Sequence, residues 1–261
     1  MSSSRSCTVS RGLGDRWDQV NPADLVKGPL ECYRRSWRFL HFASGIELHG
    51  FENLPEDQGA FVVVFHGPVI PTDILFLAAN VNLKKGRLLR GCVDRNLHSV
   101  RFFKRSLELL GWNSDQEEVK KSLRDGNWTC VAPGGAYESM FSKNYKVEWQ
   151  SRCGFARVAK ETGVPIVPMF TANIQHSMPL YEFNKSETVK KWYAATRIPL
   201  SIPMAYFPVK LRTYLGKPLY CEPDEEPESF ALRCKKAIED LRDEHQPPQQ
   251  TFWSAVRERF S

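Results

Sequence analysis

Two buried-strand patterns in the chain each break at glycine or proline. FVVVF (61–65) is β-branched and aromatic throughout, which predicts a strand buried on both faces, and it breaks at His66-Gly67-Pro68. WTCVA (128–132) predicts a second strand and breaks at Pro133-Gly134-Gly135. Between and beyond them the period shifts toward that of a helix. Helices are predicted over 74–82, capped by Thr72 and Asp73, over 98–110, over 115–124 up to Gly126, and over 150–162 up to Gly163. A short helix around 187–195 and an exposed one over 229–245 follow. Further strands are predicted over 88–93, over VPIVPMF (164–170) with an interruption at its proline, and over 209–215; 45–53 reads as a short strand and turn.

Strands alternating with helices predict an α/β fold, a central mostly parallel or mixed sheet flanked by helices, with an N-terminal amphipathic helical segment. In that segment Leu30, Tyr33, Trp37 and Leu40 share one face while Arg34, Arg35 and Arg38 mostly take the other. Such a helix suits either packing on the protein's own core or lying in a lipid headgroup layer. Residues 1–27 read as a flexible polar arm, 28–245 as the folded domain, and 246–261 as a C-terminal tail holding one short amphipathic turn.

Composition narrows the class. At 261 residues and 42% hydrophobic content the chain is long enough for a substantial core, and its 25% charged content is that of a globular protein. The net charge of +6 suits an anionic partner such as CoA phosphates or lipid headgroups, and an ordinary solvated surface equally. No zinc-finger, RRM or KH pattern supports nucleic acid as a partner. The seven cysteines include no Cys-x-x-Cys pair, so no metal site is expected and free thiols are. No apolar run approaches the roughly 20 residues of a membrane-spanning helix.

The chemistry-bearing residues cluster at the two strand ends. A histidine near neutral pKa takes a proton from an attacking hydroxyl, and does so better when an acid fixes its tautomer. His66 and Asp73 fit those roles if the loop between them folds back; they fit equally a loop histidine and a helix cap. Gly134 and Gly135 at a strand end expose backbone N–H groups of the kind that hold an oxyanion. Glu138 suits an acceptor hydroxyl, or simply the first turn of a helix. Two basic clusters, Lys84, Lys85, Arg87 and Arg90, and Arg101, Lys104 and Arg105, suit CoA phosphates, anionic lipid or bare solvent.

The histidine-then-acid motif, the PGG-x-x-E block and VPIVPMF occur in the order of the glycerolipid acyltransferase superfamily, the PlsC-like enzymes, which the chain resembles from about Ile46 to His245. APGGAYESMFS resembles the glycine-rich block of its neutral-lipid, diacylglycerol acyltransferase-like branch. RCGFARVAKETGVPIVPMFTANI resembles the stretch that follows, and FPVKLRTYLGKPL is similar to the C-terminal block of the transmembrane protein 68-like members. The resemblance makes 28–245 an acyltransferase domain, His66 the general base and Asp73 its orienting acid. It places Gly134, Gly135 and Glu138 in the acceptor or transition-state site and Pro168 beside the acyl-donor site.

The implied reaction is transfer of an acyl group from acyl-CoA to the hydroxyl of mono- or diacylglycerol, in triacylglycerol synthesis. Acyl-CoA is then a co-substrate and no bound cofactor is expected. The implied partners are acyl-CoA, the glycerolipid acceptor and a membrane surface. The implied location is the cytosolic side of the endoplasmic reticulum membrane, held peripherally. Two features depart from the pattern. The family usually has four residues between histidine and acid, and HGPVIPTD has six. Phosphate-accepting members carry an arginine near the position of Tyr137; tyrosine lacks that bidentate fork, which favours a neutral acceptor. The alternatives are a lysophospholipid acceptor of the 1-acylglycerol-3-phosphate type, and a silent lipid-binding protein of the same fold.

Overall fold

The computed structural model describes residues 41–42, 45–68, 70–93, 107, 111–197 and 199–261. The arm over 1–27, nearly all of Leu30–Phe42, and Arg101, Lys104 and Arg105 lie outside the described residues. The first half of the domain runs β1 (Glu47–His49), β2 (Ala60–Val64), α1 (Thr72–Lys85), β3 (Arg90–Cys92), β4 (Trp112–Asn113), α2 (Gln116–Arg124) and β5 (Trp128–Val131). The second runs α3 (Gly135–Phe141), α4 (Gly154–Thr162), β6 (Ile166–Ala172), α5 (Ile174–Ser177), α6 (Glu187–Thr196), β7 (Arg212–Leu215), α7 (Pro227–His245) and α8 (Phe252–Phe260).

The strands form one sheet in the order β1-β7-β6-β2-β5-β3-β4, with β6 and β7 antiparallel and every other pair parallel. This is the expected α/β architecture. All five residues of β2 are buried, because helices cover both faces of the sheet. Phe61, Val63 and Phe65 pack with α4 and α7 through Phe155, Val158, Phe230 and Ile238. The alternate residues Ala60, Val62 and Val64 pack with α1 through Ile74, Leu77 and Val81. Each such large side chain stabilises the fold by about 1.5–3 kcal/mol relative to exposure, so β2 is anchored from both sides. Among the described residues no helix is long and apolar enough to cross a membrane, and Cys92, Cys130, Cys153, Cys221 and Cys234 are free thiols.

Four expectations change. β6 is not interrupted at Pro168: β7 ends at Leu215, paired with Met169, so the missing Pro168 N–H falls where the β7 ladder has already stopped. The Pro168 carbonyl still accepts from Gly216 N at 2.8 Å. Helix α1 is not capped by Thr72 or Asp73; it starts at Thr72 after Pro71, and Asp73 lies inside its first turn. Helix α4 begins at Gly154 rather than 150, because Gln150 takes a φ of 56°. Finally, 246–261 is not a tail. Thr251 and Ser254 form a capping box for α8, Ala255 is completely buried, and Phe252 meets Phe207 edge-on at 5.0 Å.

Candidate active site

Strands β2, β5 and β6 are parallel neighbours, so their C-terminal ends open on one edge of the sheet. Each delivers a loop there: 65–71 after β2, the Pro133-Gly134 turn after β5, and Asn173 with α5 after β6. One carboxylate ties the first two of these loops to the segment over 142–150. Glu138, completely buried, accepts the His66 backbone N–H on Oε2 and the Glu148 backbone N–H on Oε1, both at 2.8 Å. Its oxygens are therefore committed to main chain, and the expected contact with an acceptor hydroxyl is replaced by a positioning one. Burial, against these bonds, pushes its carboxyl up to about 7.

Glycine is required beside it. A Cβ at Gly134 would stand 2.4 Å from Glu138 Cβ. Gly135 has a φ of 52° and donates its N–H to the Ala132 carbonyl at 3.0 Å, so that N–H is spent inside the turn rather than offered to an oxyanion. Arg152, which the motif order did not single out, holds the block from outside. Its Nη1 donates to the Pro133 and Gly134 carbonyls, both at 2.8 Å. Guanidinium carries five N–H donors, so most of the fork remains beside the glycine pair.

The His66 ring is oriented by main chain. Its Nδ1 lies 2.6 Å from the Gly67 carbonyl oxygen, which can only accept, so Nδ1 carries the proton and Nε2 is the proton acceptor. Gly67 is itself wedged: a Cβ there would lie 2.5 Å from Ile174 Cγ1 of α5. Burial holds the His66 pKa below its ordinary 6.5, against the opposing pull of the Gly67 bond. Asp73 takes no part in this. Its Oδ1 accepts from Ile74 N at 2.9 Å and its carboxylate bonds the Thr171 side chain on β6. The expected His66–Asp73 pair is thus not formed here; the six-residue loop carries the acid past the ring to the sheet.

Buried Asp73 is pushed up to about 6 from 3.8. A carboxyl raised on folding costs no stability below its unfolded value and an increasing amount as pH rises through its folded value. Asp73→Asn should therefore raise stability at pH 7 by about 1–3 kcal/mol in urea unfolding. Asparagine keeps Oδ1 as the acceptor for Ile74 N and can donate from Nδ2 to the Thr171 hydroxyl oxygen, so the variant should lose less activity than one lacking the His66 ring.

Tyr137 faces away from the glycine pair, into a cluster with Phe141 at 5.1 Å and Tyr193 at 6.3 Å that fastens α6 to α3. Pro168 is buried opposite Val63 and packs towards Gly216, apart from the loops at the strand ends. The basic turn is largely consumed by the fold. Lys85 pairs with Glu56, Lys84 lies over Phe51 at 4.8 Å, and Arg87 donates to the Gly126 carbonyl while stacking on Trp128 at 4.6 Å. A cavity of about 330 Å³ opens beside the loops, lined by Pro68 from the His66 loop, Ser139 and Met140 next to Glu138, and Gln175, His176 and Lys143. His176, with Nδ1 3.3 Å from the Tyr145 hydroxyl, had no framing motif in the sequence; it reaches the site only because β6 ends beside β2.

Residues 45–172 match the family described as Acyltransferase. A Gallus gallus protein named "DGAT1/2-independent enzyme synthesizing storage lipids" is 34% identical over 95% of this chain and 71% of its own length. The chain belongs to the acyltransferase family. A Homo sapiens protein of the same name is 35% identical over 83% of this acyltransferase and 66% of its own length, so the chain spans about two thirds of that relative. The crystal structure of the 1-acyl-sn-glycerophosphate (LPA) acyltransferase PlsC from Thermotoga maritima shares the fold, with a TM-score of 0.54 over 85% of this chain and 79% of that one, at 17% identity. The family that the ordered sequence blocks resemble is thereby confirmed.

Proposed function

We propose that this acyltransferase moves an acyl group from acyl-CoA to the hydroxyl of a neutral glycerolipid, mono- or diacylglycerol. The observation that carries the reading is the His66 ring, locked by Gly67 with Nε2 as its proton acceptor at the shared strand edge. Nε2 takes the acceptor hydroxyl's proton as that oxygen attacks the thioester carbonyl. The tetrahedral intermediate then expels the CoA sulfur, which the imidazolium protonates, leaving an ester and free thiol. The relatives' name, an enzyme synthesizing storage lipids, supports a neutral acceptor.

Arg152 supports a second reading. Its guanidinium beside the glycine pair supplies the charged fork that Tyr137 lacks, which suits an acceptor bearing phosphate. Turnover of acyl-CoA with diacylglycerol against lysophosphatidate separates the two. Diacylglycerol is expected to be the better acceptor, with Arg152→Lys changing its KM little. A preference for lysophosphatidate that Arg152→Lys abolishes would establish the second reading.

A further inference from the structure

The stretch 181–204 exposes apolar side chains at a density found nowhere else among the described residues. Tyr181, Phe183, Trp192, Leu200, Ile202 and Met204 are each between 40% and 51% exposed. They belong to one continuous surface. Leu180 and Pro203 form an antiparallel bridge, Met204 N donates to the Pro179 carbonyl at 2.9 Å, and the Tyr181 and Phe183 rings lie 6.4 Å apart. Helix α6 buries Val189 and Tyr193 against α3, which leaves Trp192 and Lys191 facing outwards. The same stretch holds four basic residues, Lys185, Lys190, Lys191 and Arg197, against two acids, Glu182 and Glu187.

We propose that this surface is where the enzyme contacts an anionic lipid layer. Half-exposed Trp and Tyr among aliphatic residues and lysines is the composition of a membrane interface, with rings at headgroup depth; Lys190 pairs with Glu187 at 2.7 Å, and exposed Lys191 stands beside Trp192 in reach of phosphates. A contiguous apolar patch on a water-facing surface marks an interaction site. Its position is what selects lipid. Lys185 within the stretch and Leu180 just before it line the cavity beside Pro68, so the patch borders the cavity. An acceptor leaving the layer would enter beside the His66 loop without crossing water. The inference rests on the reading that the acceptor is a lipid.

The test is flotation of the full chain with phosphatidylcholine vesicles, with and without phosphatidylserine. A triple variant, Phe183→Ser, Trp192→Ser and Met204→Ser, is compared with Trp253→Ser on α8, which is more exposed, at 74%, but remote in sequence from the patch. The triple variant is expected to partition about tenfold or more weakly, and Trp253→Ser as wild type, with phosphatidylserine strengthening wild-type binding. Wild-type partitioning of the triple variant overturns the proposal, as does a wild-type protein that ignores both vesicles. Binding indifferent to phosphatidylserine overturns the anionic assignment. Turnover of a water-soluble short-chain diacylglycerol provides the separate control. The triple variant should match wild type there, and absence of turnover in both would refute the neutral-acceptor reading while leaving the vesicle result to stand.

Discussion

Alanine at position 66 should lower kcat/KM for acyl transfer about 10³-fold, because it removes the ring nitrogen proposed to accept the acceptor's proton. The pH profile provides the independent readout. Burial depresses the His66 pKa, so the neutral, proton-accepting ring persists to lower pH than an ordinary imidazole. The acid limb of wild-type kcat/KM should accordingly fall below pH 6.5, and His66→Ala should flatten it. Equal activity in wild type and His66→Ala would remove His66 from the chemistry, whatever the profile.

Glu138→Ala should be the most damaging change that never touches substrate. It strands two buried backbone N–H groups, each costing about 1–3 kcal/mol when unpaired, so a loss of about 2–4 kcal/mol in urea unfolding is expected even after relief of a buried carboxyl. It also unpins His66 N, so kcat should fall at least about tenfold in protein that is still folded. Glu138→Gln keeps one acceptor oxygen and should lie between. The linkage has a definite sign. Folding raises this carboxyl from 4.5 to about 7, so the native state binds the extra proton across that window and stability declines as pH rises through it. Glu138→Gln should lack that decline. A variant as stable as wild type with the same pH dependence would mean that the carboxylate bridge does not form in solution.

The sheet was legible because its strands announce themselves: FVVVF and WTCV consist of strand-forming residues, and each runs within two or three residues into a glycine or proline. Helix α8 was legible as a short amphipathic turn over Phe252–Phe260, but its packing on the domain was not. Phe252 and Val256 lie one turn apart, yet the polar HQPPQQ stretch before them reads as a chain leaving the domain. In the site, His66 and the glycine pair were legible for the same reason as the strands. The roles of their neighbours were not. Whether Glu138 meets a substrate or two backbone N–H groups depends on the 142–150 loop, where Asn144, Tyr145 and Gln150 take positive φ values that only the asparagine, by its residue type, advertises. Arg152 and His176 arrive from elements remote in sequence, and only the parallel order of β2, β5 and β6 brings them close.

The orienting partner of His66 has a consequence for how this site tolerates change. A carboxylate partner can be lost to a single substitution. The Gly67 carbonyl cannot, since every amino acid brings the same oxygen to that place. The hereditary weak point of the ring's orientation is therefore the path of the backbone. Gly67 has no room for a side chain against Ile174, and six residues must reach from His66 to Asp73, so insertions, deletions and bulk at position 67 are the lesions this catalytic loop is built least to absorb.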